Sequence, residues 1–375
     1  MKLDTLNVSN LRNLKDLSLS LSPSVNLVYG ENGSGKSSIL EAIHLLGYGR
    51  SFRTSQPKHI IQNGCDRFTV FTQCSDKDKT QRKIGLQRSQ SETFECSIDG
   101  ERSKKIADLA SLFPVQIFTP QSVDLLLAGP SLRRKFIDWG LFHVEHHFHR
   151  LSSHYKRAVS QRNALLKQLK SSAQTRANKV GPQDELFKQD DYWVGQIANF
   201  SQQLNNHRTQ YLARLKPYFN ALVEQFLPEF SIEISYYEGC DTSREILELL
   251  QEKRINDIRF GFTSVGAHKA DLKIKADNKT AVEMLSRGQL RMLVAALQLA
   301  QSKILFDVKQ QGGIFLLDDI GAELDEKKRS LFISELLKSD AQLFITAIDK
   351  SQFSLTKEID NKKMFHVEHG HVTEE

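Results

Sequence analysis

Long apolar runs and paired cysteines are both missing from this sequence. No stretch of its 375 residues approaches the roughly 20 consecutive apolar residues that a transmembrane helix needs. Residues 1–6 alternate like a strand and lack the apolar core of a signal peptide. The four cysteines, Cys65, Cys74, Cys96 and Cys240, form no CxxC pair, which argues against a disulfide or zinc framework. We therefore expect a cytoplasmic protein without a membrane partner.

A large charge excess of either sign is also missing. The chain has 51 basic and 45 acidic residues, a net charge of +6, which is compatible with a nucleic-acid ligand but is also common among enzymes. Basic residues recur densely between Arg133 and Lys216. The candidates for contacts with DNA phosphates are Arg133, Arg134, Lys156, Arg157 and Arg162. Solvent-exposed helix faces are the alternative interpretation of each of these residues.

A glycine-rich segment, GENGSGKS, occupies residues 30–37, after the apolar run 25–29 and before residues 37–43, which have helical spacing. This strand–loop–helix order is the context that a phosphate-binding loop requires. Glycines allow positive φ and a close approach of backbone N–H groups to phosphate oxygens. We predict that Lys36 contacts the β- and γ-phosphates of ATP and that the Ser37 hydroxyl binds Mg²⁺. The predicted nucleotide-binding residues of this loop are Gly30, Glu31, Asn32, Gly33, Ser34, Gly35, Lys36, Ser37 and Ser38.

The pentapeptide LSRGQ at residues 285–289 opens a predicted helix and resembles the signature of ABC-type ATPases. In that class, the signature of one protomer closes over the nucleotide that the phosphate loop of another protomer holds. The Ser286 side chain can cap this helix, and the helix N-terminus can face a γ-phosphate. We therefore predict an ATP-dependent homodimer in which Ser286, Arg287, Gly288 and Gln289 contact the ATP of the partner protomer. The segment GAELD, residues 321–325, resembles the loop through which paired heads sense each other.

The run IFLLDD at residues 314–319 resembles a Walker B strand, apolar on both faces and ending in carboxylates. We predict that Asp318 helps to hold Mg²⁺ and that Asp319 polarises the attacking water, so that Lys36 and Asp319 are the catalytic residues. Gln121 is a further candidate ligand for Mg²⁺. Asp319 is one methylene shorter than the glutamate usual in ABC-type ATPases, so we expect slow hydrolysis that times a switch. Thr346 lies near the usual place of the switch histidine and is assigned no role.

The overall pattern predicts an α/β fold: an ABC-type phosphate-loop ATPase head with a flanking antiparallel sheet and an inserted α-helical lobe. Residues 66–75 and 82–100 alternate as in an antiparallel sheet, while helical spacing from about 132 to 169 and from 184 past 211 predicts a short antiparallel arm. Pro217 should kink or restart the second helix. The predicted domains are a first part of the head at 1–130, the helical lobe at 131–229 and a second part of the head at 230–375.

Together these motifs resemble the RecF family of bacterial recombination mediators, over essentially the whole chain. The matching segments are GENGSGKS (30–37), GRSFR (49–53), RRKFIDW (133–139), HKAD (268–271), LSRGQ (285–289), LLDDIGAELD (316–325) and MFHVEHG (364–370). The resemblance implies a weak, DNA-stimulated ATPase that uses ATP and Mg²⁺ and dimerises head to head. It also implies sequence-independent binding of duplex and gapped DNA in recombinational repair and replication-fork maintenance. RecR and RecO are the partners that it implies, in loading a recombinase on single strands.

Two other classes share part of this pattern. A transporter ATPase subunit usually has its signature nearer the phosphate loop, whereas about 250 residues separate the two here, and it usually has glycine at the place of Arg287. Relatives of SMC and Rad50 share the head chemistry but need coiled-coil arms of hundreds of residues. Co-purification with a membrane permease would favour the transporter.

Two groups of histidines have spacings that could bind a metal ion. They are His143, His146, His147 and His149, and His366, His369 and His371. No HExxH motif or cysteine–histidine set accompanies them, so we expect no metal besides Mg²⁺.

Overall fold

The computed structural model describes residues 1–91, 93–103, 105–175, 185–319, 325–356 and 359–375. The chain divides into two compact units. The head unit comprises Met1–Val123, Ala221–Pro228 and Ser286–Glu375, and the helical unit comprises Asp124–Asn220 and Glu229–Leu285. Within the described ranges, no helix has both the length and the apolar character needed to cross a bilayer.

The strands and helices follow one another in the mixed order expected of an α/β chain. The strands are β1 (Lys2–Leu3), β2 (Thr5–Leu11), β3 (Leu14–Ser20), β4 (Val25–Tyr29), β5 (Arg67–Ser75), β6 (Gln81–Ser89), β7 (Phe94–Ile98), β8 (Glu101–Ser103), β9 (Val115–Phe118), β10 (Ile232–Tyr237), β11 (Asp271–Ala276), β12 (Lys279–Thr280), β13 (Ile314–Leu317), β14 (Gln342–Ala347), β15 (Lys362–Glu368) and β16 (His371–Glu374). The helices are α1 (Lys36–Tyr48), α2 (Ile106–Leu112), α3 (Asp124–Leu127), α4 (Pro130–Val144), α5 (Phe148–Thr175), α6 (Glu185–Phe226), α7 (Ile246–Glu252), α8 (Arg254–Phe260), α9 (Ala281–Met284), α10 (Arg287–Lys309) and α11 (Glu326–Leu337).

The head unit contains a six-stranded sheet of order β16-β15-β4-β14-β13-β9. Its strands run parallel except β16, which pairs antiparallel with β15. Every residue of β13 and β14 is buried, as expected of parallel strands covered on both faces. Because the strands are parallel, the carboxyl ends of β4, β13 and β14 lie at one edge, where ligands bind in open α/β sheets.

A second sheet of the head unit is antiparallel, with the order β3-β2-β5-β6-β7-β8 and with β1 paired to β5. In β5, every second residue is buried, which matches the alternation that the sequence predicts for residues 66–75. The buried side chains of this sheet join those of α1 and the parallel sheet in one core, which includes Val8, Val70, Ile39 and Leu316. This shared core fixes α1, and therefore the loop that precedes it, against both sheets.

The helical unit is built on α5, a helix of 28 residues, and on the part of the 42-residue helix α6 that extends to Asn220. It also contains its own three-stranded sheet of order β10-β11-β12. Strand β11 lies against α4 and helix α8 lies against α5, so this small sheet and the short helices belong to the helical unit.

The fold class predicted from the sequence is confirmed by this architecture. Three predicted strands, 25–29, 115–118 and 314–317, coincide with β4, β9 and β13. The predicted domain boundaries differ from the structure, because residues 230–285 pair and pack within the helical unit and not within the second part of the head. The tip of the arm predicted at 171–183 lies largely outside the described residues, as does the segment 321–324.

One detail of the predicted arm is wrong, and of the kink or restart predicted at Pro217 the restart does not occur. The first helical run ends at Val144 and restarts at Phe148, whereas the sequence predicts one helix from about 132 to 169. Helix α6, by contrast, continues through Pro217 to Phe226 without a restart. Tertiary packing outweighs the local cost of one proline here, because Leu215, Phe219 and Leu222 around it are all fully buried.

Candidate functional site

The glycine-rich loop connects β4 to α1 and depends on glycine at two positions. Gly30 has a φ of 152°, and a Cβ atom there would lie 2.1 Å from the carbonyl oxygen of Val367. Gly35 has a φ of 127°, and a Cβ atom there would lie 3.0 Å from the side-chain nitrogen of Asn13. Larger residues would therefore clash with the loop's neighbours as well as strain the backbone. The loop ends at the N-terminus of α1, which no side chain of the described residues caps and where the helix dipole favours an anion.

Lys36 is folded back over this loop. Its ammonium donates hydrogen bonds to the carbonyl oxygens of Gly30 at 2.7 Å and Glu31 at 2.8 Å. Burial lowers the pKa of Lys36, while the nearby charges of Asp319 and Asp318 act in the opposite direction. A buried ammonium held at the mouth of a glycine loop is suited to contact phosphate oxygens, because it has few competing water molecules.

Asp318 lies at the carboxyl end of β13 and receives two hydroxyl hydrogen bonds. Ser37 Oγ and Thr346 Oγ1 each donate to Asp318 Oδ1, both at 3.0 Å. Burial raises the pKa of Asp318, and the two hydroxyl hydrogen bonds oppose that shift. A divalent cation next to this buried carboxylate would offset its desolvation. The pair Ser37 and Asp318 therefore fits Mg²⁺, an ion that usually takes one or two protein oxygens besides water and phosphate.

Asp319 has the left-handed backbone conformation, with a φ of 50°. Its backbone N–H donates to Thr346 Oγ1 at 2.8 Å, and its Oδ1 is buried and accepts no hydrogen bond from any described residue. A carboxylate oxygen left in this state is available to accept a proton or a water molecule. Thr346, which has no role predicted from the sequence, therefore holds the Asp318 carboxylate and the backbone of Asp319 in place. Only the pairing of β13 with β14 brings it there.

Asp319 lines a cavity of about 700 Å³ together with the loop residues Gly33, Lys36 and Ser37. This volume falls in the range of ligand pockets. These wall residues are among those predicted from the sequence, whereas seven further lining residues are not: Arg12, Asn13, Arg53, His59, Ile61, Gln62 and Asn63. Within the described part of the chain, the residues that line the cavity do not include Ser286, Arg287, Gly288 or Gln289 of the signature.

Arg12 and Arg53 line this cavity, and both guanidinium groups pair with the same buried carboxylate, that of Glu41. Arg12 forms two hydrogen bonds with Glu41, at 2.8 and 2.9 Å, and the Glu41 side chain is fully buried. Arg53 lies 3.8 Å from the same carboxylate and is 46% exposed. Ser51 also donates to Glu41. Arg53 ends the GRSFR segment that contributes to the family resemblance, so the signal for it was present in the sequence.

The signature residues begin α10. Ser286 is the N-cap, and it forms a capping box in which Ser286 Oγ accepts from the Gln289 backbone N–H and Gln289 Oε1 accepts from the Ser286 N–H. The predicted cap is therefore confirmed. Ser286 and Arg287 are exposed. A Cβ atom on Gly288 would lie 3.9 Å from the ammonium of Lys328, a cation beside the signature that is not among the residues predicted from the sequence.

Gln121 does not lie among the described residues that line the cavity. It is exposed and belongs to a short 3-10 helix, Pro120–Val123, that follows β9. Its assignment as a ligand of Mg²⁺ stays a prediction.

The structure corrects part of the DNA candidate set. Arg162 is fully buried and bonded to Asp190 at 2.9 Å and Asp257 at 2.8 Å, so it has no surface to offer to DNA. Arg133 is largely buried, and its guanidinium bonds to Asp271 and to the carbonyl oxygens of Leu126 and Ala128.

The other three candidates are more accessible. Arg134 is half-buried and donates to the Ala270 carbonyl oxygen at 2.7 Å. Lys156 and Arg157, adjacent on α5, are exposed. These two remain the best placed of the five for contacts with DNA. As to the histidines, the described residues contain no group of three or more His, Cys, Asp or Glu side chains placed to hold a metal ion.

Comparison with known proteins places this site in a family. A family model described as "RecF/RecN/SMC N terminal domain" matches residues 2–373. The "DNA replication and repair protein RecF" of Pseudoalteromonas atlantica is 50% identical over 375 residues, which cover all of both chains. The protein of the same name from Shewanella frigidimarina is 38% identical over 373 residues, covering 100% of this chain and 99% of the relative.

Solved structures give the same assignment. A structure reported as "the recombination mediator protein RecF-ATP in RecFOR pathway" superposes with a TM-score of 0.86 at 26% identity, covering 100% of this chain and 97% of the other. An Smc head domain from Pyrococcus furiosus superposes with a TM-score of 0.59 at 15% identity, covering 100% and 96%, which shows a shared fold. The chain belongs to the RecF family, within the wider group of RecF, RecN and SMC proteins.

Proposed function

We propose that the chain binds ATP with Mg²⁺ in the 700 Å³ cavity and hydrolyses it slowly. The observation that supports this most directly is the set of bonds joining Ser37, Asp318, Thr346 and Asp319 beside Lys36. The loop N–H groups and Lys36 bind the phosphates, and Ser37 with Asp318 holds Mg²⁺. Gly30 to Ser38 form the phosphate cradle, and Arg53 adds positive charge to the cavity.

In this proposal Asp319 orients the attacking water and accepts its proton at Oδ1. Mg²⁺, when bound, neutralises charge on the phosphate oxygens. Thr346 donates to the Asp318 carboxylate and accepts from the Asp319 N–H, whereas Asp319 Oδ1 accepts no hydrogen bond from the described residues. The short side chain of Asp319 favours slow turnover, suited to a conformational switch.

We further propose that two copies close head to head on ATP. Ser286 and Arg287 are exposed at the N-terminus of a 23-residue helix, where the helix dipole would stabilise a partner's γ-phosphate. Gly288 keeps that end accessible, and the Lys328 ammonium beside it adds positive charge. The described residues of the cavity include none from the signature, which is consistent with completion of the site by a second chain.

Replacing Ser286 by arginine is expected to abolish the ATP-induced dimer and to leave ATP binding by the same chain unchanged, because Ser286 lies away from its own cavity. Light scattering with and without ATP and Mg²⁺ measures the dimer. Ser153→Arg, a change at an exposed serine on α5, is the matched control and should dimerise normally. A dimer that persists in Ser286→Arg would contradict closure through the signature.

The cargo in this proposal is DNA. The named relatives are a DNA replication and repair protein and a recombination mediator of the RecFOR pathway, and the exposed pair Lys156 and Arg157 offers positive charge on α5. Contacts of this kind bind phosphates without reading sequence. We propose that the closed dimer holds duplex or gapped DNA, that hydrolysis releases it, and that RecR and RecO act with it to load a recombinase.

DNA affinity is expected to rise when ATP and Mg²⁺ are added, because only the closed dimer presents the Lys156 and Arg157 pairs of both protomers to one DNA. Fluorescence anisotropy with a gapped duplex measures this affinity, and Lys36→Met, which cannot hold the phosphates, should bind equally with and without ATP. Affinity should also fall with salt, with a log–log slope of about −0.9 per phosphate contact. DNA binding that ignores ATP in the parent would refute the nucleotide-gated clamp.

A further inference from the structure

Two aromatic rings of the helical unit stand exposed beside the end of α8. Phe260 is the last residue of that helix and is 55% exposed, and Phe262 is 43% exposed. Their ring centroids are 5.7 Å apart with an interplanar angle of 23°, so the rings stack on each other at the surface. Two large apolar side chains that are stacked and still open to solvent offer ring surface to a ligand.

The backbone under these rings is firmly held. Gly261 separates them and has a φ of 81°, a left-handed conformation that ends α8. Its N–H donates to the Asp257 carbonyl oxygen at 2.7 Å, and the Thr263 N–H donates to Asn163 Oδ1 at 2.7 Å. The Asp257 carboxylate is in turn held by the buried Arg162. The rings therefore project from a fixed turn, so little ordering entropy would be lost when a ligand covers them.

Positive charge surrounds the pair. The Lys269 ammonium lies 5.1 Å from the centroid of the Phe262 ring. A Cβ atom on Gly261 would lie 3.4 Å from Lys167 Cγ and 4.0 Å from Lys170 Cδ, which places both lysine stems against the turn. Arg259 precedes the first ring and is exposed. Within the described part of the chain, none of these four cations takes part in an ion pair, so their charge is available to an anionic ligand.

We propose that Phe260 and Phe262 form a stacking platform for an unpaired base of DNA, with the neighbouring strand's phosphates on Lys167, Lys170 and Lys269. Every base has a π-face, so stacking on aromatic rings needs no particular sequence, and cations beside the rings bind the backbone. A protein partner for these rings is the less favoured hypothesis, because protein–protein interface cores are depleted in lysine. The proposal rests on the proposed DNA binding and adds to it a site that distinguishes a single-stranded extension from plain duplex.

The test compares a blunt duplex with the same duplex carrying a short single-stranded extension that contains 2-aminopurine. Stacking on the platform should quench the 2-aminopurine fluorescence in the parent protein. In Phe260→Ala/Phe262→Ala, affinity for the extended duplex should fall on the order of tenfold, the quenching should disappear, and affinity for the blunt duplex should change less than about twofold. Phe260→Tyr/Phe262→Tyr keeps both ring faces and should restore quenching and affinity.

Four outcomes would overturn the proposal. Equal losses on both DNAs would mean that the rings support the fold or the general DNA surface, and circular dichroism of the variant separates these two explanations. Unchanged quenching and affinity, with loss of an interaction with a protein partner, would assign the rings to protein binding. A parent protein that binds the blunt duplex but gains nothing from the extension would refute the platform alone, whereas a parent that binds neither DNA would refute the proposed function with it.

Discussion

Asp319→Asn is expected to lower the rate of ATP hydrolysis by about 100- to 10,000-fold, the range over which a positioned general base contributes. Asparagine has the same size and can keep the backbone conformation and the Thr346 hydrogen bond of this position. It cannot accept a proton at the atom that the structure leaves buried and unbonded among the described residues, Asp319 Oδ1. ATP binding should change little, and the ATP-bound dimer should accumulate because hydrolysis no longer opens it.

Asp318→Asn is the matched control for this prediction. It removes a carboxylate one residue away that faces Ser37, so it should weaken Mg²⁺-dependent ATP binding itself. Phosphate release measures turnover, a fluorescent ATP analogue measures binding, and light scattering measures the dimer. Parental turnover in Asp319→Asn would show that another group accepts the proton. Equal losses of binding in both variants would show that the two aspartates share one role.

The residues that could be predicted from the sequence are those whose function depends on short segments of chain. The glycine loop, the capping serine at 286 and the strand before Asp318 are local patterns, and the structure has each where the sequence predicts it. Thr346 could not be assigned in this way. Its role arises from the parallel register of β13 and β14, which sets Leu317 beside Ile345, and sequence spacing does not reveal which strands are neighbours.

Charged residues on helices account for most of the errors in predicting the DNA-binding residues from the sequence. Lys156 and Arg162 lie on the same helix, in segments of similar composition, yet one is exposed and the other has no exposed surface. The difference comes from Asp190 and Asp257, which lie 28 and 95 residues away in sequence from Arg162. Long-range contacts, such as that of Arg162 with Asp257, also explain why residues 230–285 belong to the helical unit and not to the head, where the sequence predicts them. Composition can identify a basic region, but tertiary contacts decide which of its residues reach solvent.

Arg162→Ala is therefore expected to destabilise the helical unit by about 3–5 kcal/mol, the usual cost of removing one partner from a buried ion pair. The guanidinium joins α5 to Asp190 on α6 and Asp257 on α8, and all three side chains are fully buried. Asp190 would keep Arg254, 2.9 Å away, as a partner. Asp257 would keep a backbone N–H from Ser264, at 3.1 Å, but would lose its guanidinium.

Urea unfolding followed by circular dichroism measures this effect, and Lys156→Ala on the exposed side of α5 provides the matched control. The control should unfold within about 0.5 kcal/mol of the parent, as surface substitutions usually do, and it should weaken DNA binding if Lys156 contacts phosphates. The two variants thus separate the two interpretations of a basic residue on this helix. If Arg162→Ala were as stable as the parent and bound DNA poorly, Arg162 would have to leave its buried carboxylates to reach DNA, and the structural role assigned to it would be wrong.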